Sequence, residues 1–167
     1  MKALVAILLA LAALHGWAQS ATRAAVHYVI PDGYVGWLRV DYGVNAAHAP
    51  GYGVKESLPL PTQRGTIVVA FPASGHAVTS SEMQYGSAAD LFSYCRNGSL
   101  VALSQAHDTG MIWSKFNGRV GGSASQTELF FVGTADEYAK FGNRQDPVPK
   151  HGPLKPLPPQ GASCNPA

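Results

Sequence analysis

Ala25-Val26-His27-Tyr28-Val29-Ile30-Pro31-Asp32-Gly33-Tyr34-Val35-Gly36-Trp37-Leu38-Arg39-Val40-Asp41-Tyr42 carries the signal that decides the fold. Residues 25–30 are β-prone and stop at Pro31-Asp32-Gly33, a strong turn signal. From Tyr34 to Tyr42 side chains alternate with the period of a strand. Tyr34, Leu38, Val40 and Tyr42 form one face, expected to be core. Val35, Trp37, Arg39 and Asp41 form the other, expected to be half-exposed. Gly36 in mid-strand marks a bulge or a close neighbour.

The same grammar recurs along the chain. Thr66 to Phe71 reads as a strand, Pro72 to Gly75 as a turn, and His76 to Ser80 as a hairpin partner returning along it. Ala88 to Cys95 and Ser99 to Leu103 flank Arg96-Asn97-Gly98, and Asn-Gly is the strongest short hairpin signal. A short strand is expected around Met111-Ile112-Trp113 and Phe116. Thr127 to Val132 is the last strand, and its lack of alternation indicates that both faces are covered. Thr134 and Glu137 form a capping box for a helix from Ala135 to Phe141, which Gly142 can end. The fold class expected is mostly β: a sandwich or open barrel of about seven short strands with one short C-terminal helix.

Both ends of the chain differ from this middle. Met1-Lys2, the apolar run Ala3 to Leu14, and a polar stretch with small residues at Gly16 and Ala18 read as a secretory signal peptide. The run is shorter than the roughly 20 apolar residues of a spanning helix. Cleavage in this stretch leaves about 147 residues, a length that suits one domain. From Asp146 onward seven prolines appear and apolar periodicity vanishes. The division expected is therefore a signal peptide over 1–20, a β domain over 21–145, and a Pro-rich extended or disordered tail over 146–167 that adds little to the core. The localisation expected is periplasmic or secreted, with no membrane span after cleavage.

Twelve basic and ten acidic side chains give a formal charge of +2, which supplies no electrostatic case for nucleic acid. An exported chain with two cysteines points to a Cys95–Cys164 disulfide. Read instead as a thiolate nucleophile, Cys95 would need His107 as base and Asp108 to orient it. Glu82 and Asp90 are the candidate carboxylate pair for glycoside chemistry. Trp113, Phe116 and Tyr52 are candidates for an aromatic binding platform. His27, His48, His76, His107 and His151 have no ligand spacing, so neither a metal nor another cofactor is indicated. Asn97-Gly98-Ser99 matches a glycosylation sequon inside the predicted turn.

Ile30-Pro31-Asp32-Gly33-Tyr34-Val35-Gly36-Trp37 resembles the opening signature of a family of small exported bacterial proteins known as a domain of unknown function. Ser74-Gly75, Thr79-Ser80-Ser81, Phe131-Val132-Gly133-Thr134 and Glu137-Tyr138 resemble its later landmarks in the same order. The resemblance spans residues 25–142 and implies bacterial origin and export, with no catalytic residues to carry over. A fold-level likeness to transthyretin-like and carboxypeptidase-regulatory-like sandwiches is analogy alone. The function expected is an exported non-enzymatic β module that binds a protein or a cell-envelope component. The alternative is a small envelope-polymer hydrolase using Cys95/His107/Asp108 or Glu82/Asp90.

Overall fold

The structure is a computed structural model that describes residues 22–106, 109–119, 125–142 and 151–164. The expected signal segment, His107 and Asp108 lie outside the described residues. Ten strands are present among the described residues: β1 Val26–Pro31, β2 Gly36–Tyr42, β3 Thr62–Gln63, β4 Thr66–Ala70, β5 His76–Val78, β6 Leu91–Arg96, β7 Ser99–Ala102, β8 Ile112–Arg119, β9 Gln126–Val132 and β10 Gly152–Pro153. One α-helix, α1, spans Ala135–Phe141. The sequence pattern does not show β3 and β10 because each is two residues long and carries no periodicity to read.

The strands form two sheets. In the first the order is β3-β4-β1-β6-β7, and in the second β10-β2-β9-β8 with β5 added beside β2. β9 pairs with β2 at all seven positions, so β10 (at Gly36 and Trp37) and β5 (at Arg39 to Asp41) share β2's other edge. The His76 segment is therefore not the hairpin partner of β4. The chain crosses to the other sheet after β4, which leaves β5 parallel to β2. The same crossing after β1 makes β4 and β6 parallel partners of β1. Two separate sheets that do not close on themselves make the arrangement a sandwich.

Alternation then builds the core. Val26, Tyr28 and Ile30 of β1 meet Leu38, Val40 and Tyr42 of β2 and Phe130 and Val132 of β9, with Val69, Phe92 and Tyr94 filling in. Tyr28 stacks on Phe92 with ring centroids 4.8 Å apart and meets Phe130 edge-on at 5.1 Å. Such pairs contribute about 0.5–1.5 kcal/mol beyond area burial.

Both outer faces are covered as well. Val35, Trp37, Leu129 and Phe131 of the second sheet lie under α1, where Tyr138 stacks on Trp113 at 5.3 Å. The face expected to be half-exposed is thus largely buried, and its Asp41 is fully buried beside Arg39, His76 and Thr127. The capping box of Thr134 and Glu137 forms as the sequence indicates. It fixes where α1 starts and so aims Tyr138.

The described part of the proline-rich segment, residues 151–164, lies on the domain. Gly152–Pro153 pair with β2, Leu157 packs on the main core, and Cys164 is buried against Val29 and Val68. Gly36 explains the entry point: its φ is +143°, and a Cβ there would stand 2.4 Å from the carbonyl oxygen of Gly152. Prolines pre-set extended backbone at low entropy cost. A strap of this kind buries isolated apolar residues, which is why no periodicity reveals it. The strap ends where the sulfurs of Cys95 and Cys164 stand at bonding distance, with Cα atoms 5.6 Å apart.

Candidate functional site

One end of the sandwich is open. It is the end where β1 and β4 begin, β2 finishes and β9 starts, and it holds a cleft of about 460 Å³. Val26, Leu60, Ile67 and Met83 make an apolar wall, while Ser81, Glu82, Gln84 and Asn117 contribute polar groups. Tyr28, Tyr42 and Glu128 also line it, and all three are almost completely buried.

Glu128 is the hub of this floor. It shares the inward face of β9 with Phe130 and Val132, so a carboxylate sits where the pattern calls for an apolar side chain. Tyr28 donates to its Oε2 at 2.6 Å and Tyr42 at 3.0 Å, while Lys115 Nζ lies 2.9 Å from Oε1. Turning the Asn117 amide brings a fourth donor to Oε1 at 3.1 Å. Lys115 gets there through a β-bulge. The register with β9 runs Trp113↔Phe131 and then Phe116↔Leu129, one residue extra on β8. Ser114 takes it up at φ +48°. Trp113 faces outward beneath α1, so without the bulge Lys115 would face outward too. The bulge turns it in, over the Tyr28 ring at 4.7 Å.

A second carboxylate completes the cluster. Asp90 accepts from Arg23 through both oxygens, at 2.8 and 2.5 Å, from Lys115 at 2.5 Å, and from the Val26 amide at 3.0 Å. Two cations and two carboxylates are thus mutually neutralised. Burial pushes the Tyr28 and Tyr42 hydroxyls well above their ordinary pKa, and the charge of Glu128 adds to this. Both therefore remain donors. Burial also opposes the charge of Asp90, but hydrogen bonds from Arg23 and Lys115 outweigh it and hold the carboxyl below its ordinary range. Asp41, on the outer face, is held low by His76, Arg39 and Thr127 against the same desolvation.

This sets an acid limit. In both aspartates the folded state binds its proton less readily than the unfolded chain. Their contribution is complete above the unfolded pKa of about 3.9 and is lost as pH falls through the lower folded values. Thermal unfolding should show a stable plateau toward neutral pH and a steep fall below about pH 4, and Asp90→Asn should flatten that fall. A melting temperature unchanged between pH 5 and pH 2.5 would contradict the assignment.

The sequence-derived candidates distribute as follows. Trp113 is half-buried, stacks on Tyr138 and donates from its indole to the Gly133 carbonyl at 2.7 Å. Phe116 stands on β8 opposite Leu129, and Tyr52 bonds Ser125 at 2.6 Å, just before β9. They are strung along β9 rather than gathered at one point. Glu82 lines the cleft; Asp90 lies behind its wall, bound to Arg23. Cys95 is at bonding distance from Cys164, so its sulfur is not available as a thiolate beside the undescribed His107 and Asp108. The pattern did not single out Glu128, Tyr28, Tyr42, Arg23 or Lys115 as site residues. Among the described residues no group of three His, Cys, Asp or Glu side chains could hold a metal ion, and no helix is long and apolar enough to cross a membrane.

A crystal structure from Bacillus anthracis, named "Putative Lipoprotein", is similar in fold, with a TM-score of 0.52 and 25% identity over 76% of this chain and 83% of that one. No curated protein matches the chain in sequence. The region from before β1 to the start of β7 brings Arg23, Tyr28, Tyr42 and Glu82 to the cleft and Asp90 behind Arg23, and this region, residues 22–99, matches the model of a family of unknown function, DUF6843.

Proposed function

We propose that the protein is an exported, non-enzymatic module that holds a component of the cell envelope in the cleft at the open end of its sandwich. The observation that carries this reading is a cleft of about 460 Å³ above a floor whose charges are already paired. That volume lies within the range of small-molecule and peptide sites, which are mostly apolar and largely preformed. A floor held by buried hydrogen bonds needs no reordering when a ligand arrives. Export is supported by the signal-like first twenty residues, by the cysteine pair, and by likeness to a protein named as a lipoprotein.

The hydrolase alternative is less well served. A general acid must hold a proton near neutral pH, whereas Asp90 is stabilised as the carboxylate. Its oxygens are taken by Arg23, Lys115 and Val26, which leaves it poorly placed as a nucleophile.

Muropeptides released from purified peptidoglycan provide the test, titrated calorimetrically into the protein and into Leu60→Trp, which fills the cleft from its rim. The binding reading predicts a saturable isotherm that Leu60→Trp weakens at least tenfold with melting temperature nearly unchanged. No binding by the wild type, equal binding by the filled variant, or cleaved muropeptides after incubation would count against it.

A further inference from the structure

We propose that the group the cleft recognises is a primary ammonium carried on an apolar stem; this rests on the binding reading above. Of the charged side chains that line the cleft, two are committed internally. Arg23 spends its guanidinium on Asp90 and on the Ala24 carbonyl. Glu128 spends its carboxylate on Lys115 and the two tyrosines. Glu82 is the remainder: it is exposed at the rim, and among the described residues it has no hydrogen-bond or ion-pair partner. Among the described residues the cleft therefore presents one uncompensated negative charge.

Ser81 and Gln84 can serve either sign, but Tyr42 favours a donor. Tyr42 has committed its proton to Glu128, so toward any other group its oxygen can only accept. An anionic ligand would meet the uncompensated charge of Glu82, with Arg23 already held by Asp90. A ligand with N–H donors on a cationic head finds acceptors instead. Beside these acceptors, Val26, Leu60, Ile67 and Met83 offer a wall suited to a short methylene stem. A lysine side chain in a peptide and a free diamine both carry this chemistry.

The probes are n-hexylammonium, hexanol and hexanoate, titrated at pH 7 into the full exported chain with amide chemical shifts as the readout. Hexylammonium should bind about tenfold more tightly than hexanol, the scale expected of a charge-assisted hydrogen bond, and hexanoate weakest. Glu82→Gln lies at the exposed rim and should fold normally while erasing the preference for hexylammonium. Tighter binding of Nα-acetyl-lysine N-methylamide than of cadaverine assigns the ammonium to a peptide side chain, and the reverse order assigns it to a free diamine. If hexanol and hexanoate shift the cleft resonances at the same concentrations as hexylammonium, the ammonium inference falls while the binding reading stands. If neither these probes nor muropeptides bind, both fall.

Discussion

Reduction of the Cys95–Cys164 pair should cost the folded protein about 4 kcal/mol. The cysteines are 69 residues apart, and closing a loop of that size removes this much chain entropy from the unfolded state. The pair also pins the strap that supplies β10 to β2, so its loss removes the covalent hold on β10, Leu157 and Cys164 together. Urea unfolding of Cys95→Ala/Cys164→Ala beside the oxidised wild type measures the difference. A double variant within about 1 kcal/mol of wild type would show that the strap is held by its non-covalent contacts alone. A mass measurement finding two free thiols in the protein purified without reductant would remove the premise.

Loss of Glu128 is the second large effect. Glu128→Ala leaves Lys115, Tyr28 and Tyr42 with donors aimed at an empty, buried position. Removing one member of a buried charge pair typically costs about 3–5 kcal/mol when the remaining charge is stranded. Lys115 is partly exposed and keeps Asp90, so a loss of about 2–3 kcal/mol is expected, much of it from the two buried tyrosine hydroxyls left without an acceptor. Pairing the substitution with its partner should recover part of the loss: Lys115→Met/Glu128→Leu replaces charge with apolar volume, while the Tyr28 and Tyr42 hydroxyls stay without their acceptor. Both variants are measured by urea unfolding. A Glu128→Ala loss below about 1 kcal/mol, or a double variant no more stable than the single, would mean that the hub is not what secures the floor.

Local patterns in the chain foretell some of this arrangement and are silent on the rest. The strand of Tyr34 to Tyr42 is legible because side chains alternate, and the helix because Thr134 and Glu137 form their box with each other. The Asn97-Gly98 turn is legible because both residues take the positive φ values that such a hairpin needs. The cysteine pair follows from there being no other partner. Glu128 was within reach: a strand covered on both faces must bury it, in phase with Phe130 and Val132. Its partners were not. Lys115 depends on a bulge at Ser114, and Arg23 meets Asp90 across 67 residues of sequence. Nothing local marks either. β5 and β10 fail for a related reason, since their pairing is dictated by which stretches of β2's edge remain free.

The family match ends at residue 99. The landmarks Phe131-Val132-Gly133-Thr134 and Glu137-Tyr138 fall beyond it, as do Lys115 and Glu128. The matched region therefore holds the apolar wall and the Arg23–Asp90 pair, while the hub comes from β8 and β9.

The central claim is that the open end of the sandwich is the binding surface, and amide chemical-shift mapping tests it most directly. Titration of isotope-labelled protein with muropeptides should move resonances of residues 23–26, 60–67, 81–84, 117 and 128, the residues around the cleft, and leave α1 still. Shifts centred instead on Trp113 and Tyr138, or on Asp41, His76 and His151, would place the binding surface on the outer face of the second sheet and contradict the account.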